Sequence, residues 1–320
     1  MKPLEILSVL ASSAGGTPAL PATPDEILDS PAFAMPCRLG EETVLLRRAS
    51  VEPAESEMLS LSVAFGDEGH SLCVARSPLF PDLDKIWDSR ADVPEQVVLA
   101  IVEKECGRLF QLLENAVRKQ LRLLGISPVP PGQTSKTGGT GGTGGTGGMA
   151  VFHVEGISFS LSRTQTVVSA LGVLRNLDLA HESIRSPALP AEIEYAAFQL
   201  PDADLASLAP GDAVLLPEIG TVAPRLIACG RLVVDEHGVA PYQGDAMCHV
   251  RAATGCTVTV GELFDAAVGE SGSSAEADAY RRVPSVNAPL RLLRNGKTLA
   301  TGRLDRLGDA PAFVVETPNS

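Results

Sequence analysis

The sequence predicts an α+β chain in which an amino-terminal α/β domain with one long helix is followed by a mostly β portion of small sheets or barrels. Three observations carry this. Residues 94–124 hold the strongest helical periodicity in the chain, with Val97, Val98, Ile101, Val102, Leu109, Leu112, Leu113, Val117, Leu121 and Leu124 recurring on one face. From Glu192 onward, short runs of alternating apolar residues are punctuated by Pro and Gly, which is how strands read. Near the end, Asn295-Gly296 separates two such runs, and both residues tolerate the positive φ that a tight hairpin needs.

In chain order, residues 3–12 offer a weak helix, and residues 43–48, 58–65 and 71–75 read as strands of an antiparallel meander with a turn at 66–69. Asp92 is a suitable N-cap for the long helix, Pro94 suits its first turn, and Gly125 with Pro128 ends it. At ~1.5 Å per residue that helix spans about 45 Å, with Gly107 as its weak point. Residues 137–148 are four copies of Thr-Gly-Gly, followed by Met149. No apolar side chain is present to pack, and the regularity reads as an engineered joint, with a natural low-complexity linker as the alternative. A coil of this length reaches roughly 17–21 Å, so the segments it joins are neighbours.

Beyond the joint, residues 151–161 read as a hairpin around Glu155-Gly156 and residues 164–174 as a helix. Strands are expected at 193–198, 213–216, 225–229, 231–234, 246–250 and 257–260. A small, polar, acidic loop follows at 269–279, and the β pattern resumes at 289–294, 297–304 and 311–316. The division is therefore 1–136, the joint 137–148, a connecting β/α segment 149–190, a first β unit 191–265 and a second, divergent or partial one, 266–320.

Composition narrows the function. The net charge is −13, and aromatic residues make up 4% with a single Trp, which argues against base stacking and against nucleic acid or an anionic membrane surface as partner. Glu5 interrupts the only apolar run near the start, so neither a secretory signal nor direct membrane insertion is expected. Six isolated cysteines read as reduced thiols packed as small apolar groups.

A search for chemistry is mostly negative. Neither a phosphate-cradling loop, nor a nucleophile elbow, nor a strand–GxGxxG–helix unit occurs. Cys248-His249 with Cys256 is the one thiol–imidazole cluster, yet adjacent strand residues face opposite ways and cannot readily share a metal. The reading is a non-enzyme with no catalytic residue, no metal and no cofactor. One electrostatic feature remains: between residues 281 and 309, seven cations (Arg281, Arg282, Arg291, Arg294, Lys297, Arg303, Arg306) face two acids, a local +5. It is either the solvated face of the terminal hairpin or a docking face for an acidic partner or for the chain's own acidic portion.

Residues 205–216 (LASLAPGDAVLL) resemble the core of the surface-presentation-of-antigens (SpoA) domain, found in flagellar motor-switch proteins and in the cytoplasmic-ring protein of type III secretion systems. Residues 289–316 resemble the closing half of another such domain. Trp87, Val93-Pro94-Glu95 and the helix ending in 121–124 are similar to the amino-terminal domain of the secretion ring proteins. The ordered set favours the secretion protein over its flagellar relatives.

The resemblance implies small, intertwined SpoA-like barrels that pair within or between chains. It implies a scaffold of the sorting platform in the bacterial cytoplasm, peripheral to the inner membrane through its partners. Those partners would be the ATPase stator protein, a membrane-ring adaptor protein and chaperone–effector complexes. It places Leu205, Leu208 and Leu216 in or near a peptide groove with Arg291, Arg294 and Arg303 at its polar rim, and it makes Pro210, Gly211 and Asp212, with Asn295 and Gly296, the structural turns. The alternatives are an engineered fusion of two interacting secretion-apparatus segments, a chaperone-like module tethered to a β-rich partner, or a flagellar motor switch component.

Overall fold

The computed structural model describes residues 1–12, 20–21, 23–49, 58–126, 148–216, 224–242, 247–269 and 289–319. The Thr-Gly-Gly repeat up to residue 147, the acidic stretch 270–279, and Arg281 and Arg282 lie outside the described residues. The chain is mixed α and β and forms two compact units, Pro21–Ser183 and the discontinuous Met1–Leu20 with Ile184–Ser320. The division differs from that expected from sequence, because the strands flanking residues 137–148 belong to one sheet.

Helix α1 (Pro3–Ala11) opens the chain and belongs to the discontinuous unit. The unit 21–183 begins with α2 (Pro24–Asp29), which Thr23 caps by accepting the Glu26 N–H while the Glu26 carboxylate accepts the Thr23 N–H. Strands β1 (Ala34–Leu39), β2 (Glu42–Arg48), β3 (Met58–Phe65) and β4 (Glu68–Ala75) follow. Then come α3 (Pro81–Ile86), a 3-10 turn carrying Trp87, α4 (Glu95–Glu105), α5 (Gly107–Val117), β5 (Leu121–Ile126), β6 (Met149–Val154), β7 (Ile157–Ser162) and α6 (Gln165–Leu171). The sheet is wholly antiparallel in the order β1-β2-β6-β7-β4-β3-β5, so the β6–β7 hairpin fills the gap between β2 and β4.

The single long helix expected over 94–124 is two helices and a strand. The backbone leaves the helical path at Cys106 (φ −87°, ψ 3°) and α5 ends on Arg118 in the left-handed region. The physical reason is packing: α4 rests on α3 and β5, whereas α5 rests on β1 and α6, and one straight rod cannot bury its apolar stripe against both sets. Leu121–Ile126 satisfies an alternating pattern equally well and pairs along β3.

Helix α7 (Glu182–Arg185) leads into the second part of the discontinuous unit. Its strands are β8 (Ala188–Phe198), β9 (Ala213–Leu215), β10 (Arg225–Ala228), β11 (Leu232–Asp235), β12 (Gly238–Pro241), β13 (Cys248–Ala252), β14 (Cys256–Thr259), β15 (Pro289–Arg294), β16 (Lys297–Leu307) and β17 (Ala310–Pro318). Its helices are α8 (Asp202–Ala206) and α9 (Val260–Val268). The sheet is antiparallel in the order β12-β11-β10-β8-β13-β15-β16-β17-β9, with β14 paired beside the first half of β8. It is open, not closed into the barrels expected, because its end strands β12 and β9 do not pair with each other. Thr259 and Glu262 form a reciprocal cap that starts α9, and α9 packs on β12, β14 and α1. No helix of the described residues is long and apolar enough to cross a membrane.

Candidate functional site

The segment 202–216 folds as a short helix, a tight turn and an edge strand. Ala209–Asp212 is a type II turn: Gly211 sits at φ +93°, and the Asp212 N–H donates to the Ala209 carbonyl at 3.0 Å. The Asp212 carboxylate accepts the Ala209 N–H at 2.8 Å, which closes the turn from the other side. Gly211 N–H donates to Val315 O, and Val315 N–H to Asp212 O, each at 2.8 Å, so Pro210-Gly211-Asp212 is docked on β17 and delivers β9 to the sheet edge.

Leu216 is a core residue, 4% exposed and clustered with Phe198, Val214, Val250 and Phe313, while Leu205 and Leu208 lie half-buried over that cluster. Leu215, on the edge strand, is 57% exposed. Arg294 reaches Asp202 in the first turn of α8 at 2.5 Å, so Leu205, Leu208, Leu216 and Arg294 belong to one side of the sheet. Arg291 and Arg303 do not. They alternate with the core residues Leu290, Leu292 and Leu304 and therefore point to the other face, where Arg291 pairs with Glu192 at 2.7 Å and Arg303 with Glu316 at 3.0 Å. The three arginines are held by the chain's own acids and do not ring one groove. Asn295 and Gly296, at φ 51° and 73°, form the two-residue turn between β15 and β16.

That other face carries a charge cluster that leaves little trace in the sequence pattern. Along β8 and β13 the pairing is Phe198 with Cys248 and Ala196 with Val250, then Glu194 with Arg251, one residue short of regular alternation. The extra residue, Tyr195, is a β-bulge; it turns Glu194 away from the apolar core and opposite Arg251. Glu194, 1% exposed, takes Arg225 at 2.5 Å, His249 Nδ1 at 3.1 Å and Arg251 Nε at 3.2 Å. Arg251 also donates to Glu192 and to the Tyr242 hydroxyl, each at 2.7 Å, and lies over the Tyr242 ring. Burial pushes the Glu194 carboxyl up, but the His249 bond and the charges of Arg225 and His249 outweigh it and hold the group below its usual range. Glu192 behaves alike, with burial opposed by Arg251 and Arg291.

No protein-family model, no curated protein and no solved structure matches the chain.

Cys248 faces the apolar core and His249 faces Glu194, as strand alternation requires. Cys256 donates to the Ala191 carbonyl. In the other unit, burial raises the Cys106 thiol to about 12 and Cys37 to about 11, so neither is a thiolate at neutral pH. Among the described residues no group of His, Cys, Asp and Glu is placed to hold a metal ion. The arrangement on β8, β10, β13 and β15 cross-links four strands with charge-assisted bonds, and its chemistry is that of a structural clamp. Its trace in the sequence is the pair of i, i+2 charges, Glu192/Glu194 and His249/Arg251, in runs otherwise patterned as strand.

Proposed function

We propose that the chain is a non-enzymatic scaffold of a bacterial type III secretion cytoplasmic ring, binding the ATPase stator protein, a membrane-ring adaptor and chaperone-bound substrates. The observation that supports this reading is the build of residues 202–216. The stretch that resembles the SpoA core forms a docked Pro-Gly-Asp turn and a three-residue edge strand, with half-exposed Leu205 and Leu208 on its core side and exposed Leu215 on the other. An edge with no outer strand among the described residues, next to the apolar Leu205 and Leu208, suits an added strand or an amphipathic segment from a partner, or a second SpoA unit. Calorimetry of the full chain with an amino-terminal stator peptide tests this. Binding at tens of micromolar that Leu208→Asp abolishes supports the proposal; an absence of heat from a protein folded by circular dichroism refutes it.

A second reading, two interacting segments joined by an engineered tether, is favoured by one observation: β6 and β7, which follow the Thr-Gly-Gly repeat, complete a sheet whose other five strands precede it. A tether would hold such pieces at roughly millimolar effective concentration. Co-expression of residues 1–136 and 149–320 as separate chains distinguishes the readings: co-purification supports two segments, and loss of folding in both supports one continuous chain.

A further inference from the structure

In the unit 21–183 three adjoining open pockets form a cleft from the edge of β1 past the end of α5 to α6. Its three lobes, of about 620, 480 and 400 Å³, share Arg118. Four cations line it: Arg38 on β1, Arg118 and Lys119 after α5, and Arg175 beyond α6. Glu114 is the one acid, at the far end, where its carboxylate accepts the Leu121 N–H. Elsewhere in this unit Arg76, Arg108 and Arg163 are each held by two carboxylates. Arg38, Arg118 and Arg175 have no carboxylate within 4.0 Å among the described residues, and all three are exposed. Arg118 takes its place at φ 59°, a conformation that glycine adopts with less strain at a helix end.

The cleft also borders the outer edge of β1, which among the described residues pairs with no strand and carries one isolated bridge, Phe33 with Leu177, at its start. Phe33 O accepts from Arg48 N–H, so the residues whose backbone faces β2 are Phe33, Met35, Cys37 and Leu39, and those facing outward are Ala34, Pro36 and Arg38. Pro36, which lacks an N–H, fits this phase, since proline is tolerated on an edge. The outward carbonyls at the two ends are taken, Ala32 by Asp178 N–H and Arg38 by the Asn115 amide at 2.7 Å. The antiparallel bridge of Phe33 with Leu177 also takes the Ala34 N–H, so the Ala34 C=O, the Pro36 C=O and the Arg38 N–H lie between them.

We infer that this cleft docks an acidic, extended peptide segment of a partner protein, which adds antiparallel or parallel to the outer edge of β1 and places alternate carboxylates against Arg38, Arg118 and Arg175. Three features favour that occupant. The unpaired cations call for negative charge. The Ala34 and Pro36 carbonyls and the Arg38 N–H supply main-chain bonds, so an extended backbone is the matching shape. The cleft is open along its length and no aromatic side chain lines it, which disfavours a nucleotide or a single-stranded nucleic acid, both of which need stacking surfaces. The inference concerns a different unit from the 202–216 face and stands or falls independently of it.

The test is fluorescence anisotropy of the full chain with a labelled decapeptide alternating Glu and Val. We expect saturable binding in the tens of micromolar at about 50 mM NaCl, weakened about fivefold or more at about 300 mM, as screening of exposed charges requires. Arg38→Glu with Arg175→Glu is expected to weaken it about tenfold or more. Arg118→Gly is the variant least able to disturb the fold, because glycine relieves the left-handed backbone while deleting the charge. It should weaken binding severalfold with no loss of melting temperature. A peptide N-methylated at alternate residues should lose most affinity. No saturable binding, indifference to all three substitutions, equal binding of the N-methylated peptide, or equal competition by an oligonucleotide of the same charge would each overturn the inference.

Discussion

Glu194→Ala tests the clamp between strands β8, β10 and β13. The wild-type carboxylate is enclosed and neutralises a local excess of cations, so its removal leaves Arg225, Arg251 and His249 without their shared partner. Breaking a buried pair costs about 3–5 kcal/mol. Two features of the structure place this case at the lower end. The Arg225 side chain is 36% exposed and can turn to water, and Arg251 keeps Glu192 and Tyr242. The expected loss is therefore about 3 kcal/mol, or roughly 6–12 °C in melting temperature for a unit of this size.

Urea unfolding followed by far-UV circular dichroism measures that loss. Fluorescence of Trp87, the single tryptophan, reports the unit 21–183 separately. Glu194 has its carboxyl held below the usual range, so as pH falls the unfolded chain takes up the proton first. The wild-type advantage is full above about pH 4.3, the unfolded value, and shrinks as pH falls through the lower folded value. A loss below about 1 kcal/mol at neutral pH, or a wild-type advantage that grows on acidification, would refute the clamp.

Three further outcomes are expected. Gly302→Ala places a Cβ 2.1 Å from the Val314 carbonyl oxygen and 2.9 Å from the Phe313 ring, a clash with backbone that β16 and β17 cannot relieve without parting; calorimetric melting should show a loss of about 3 kcal/mol. Asp212→Ala removes the acceptor of the Ala209 N–H at an exposed turn and should cost about 0.5–1 kcal/mol by thermal shift, with an unchanged melting temperature counting against the turn bond. His70 is buried on β4, and burial lowers its pKa. The unfolded chain is then protonated more readily than the folded one below about pH 6.5, so the Trp87-reported stability should decline from pH 7 toward pH 5. His70→Gln should flatten that decline, and an unaltered slope would place the titration elsewhere.

What could be read from the sequence was local. The strands at 58–65 and 289–294 match the structure, as do both hairpin turns, because period-two alternation and turn chemistry act over a few residues. The failures have a common cause in tertiary contact. Leu121 and Leu124 continue a helical stripe on paper, yet the free edge of β3 draws 121–126 into the sheet. Thr259-x-x-Glu262 carries a helix-start signature inside a run that also alternates, and the apolar faces of β12, β14 and α1 decide for the helix. Of the expected partner face, Leu205, Leu208, Leu216 and Arg294 come together. Arg291 and Arg303 part from them because strand alternation sends them to the opposite side. The bulge at Tyr195 left no periodic trace, since regular spacing would put Glu194 beside Ala196 and Phe198 in the core.

The membership of α1 in the discontinuous unit has a consequence for biosynthesis. Ile6, Leu7 and Leu10 are buried, and α1 packs on α9, which begins at Val260, 260 − 11 = 249 residues after α1 ends. At ribosomal speeds of about 5–20 residues per second, the helix waits roughly 12–50 s for its partner. In that interval the whole of 21–183 emerges and can close its own sheet, while a sticky amphipathic segment stays uncovered ahead of it. Completion of the discontinuous unit is therefore held back by its topology until α9 has been made, and α1 is the apolar segment that needs shielding in the meantime.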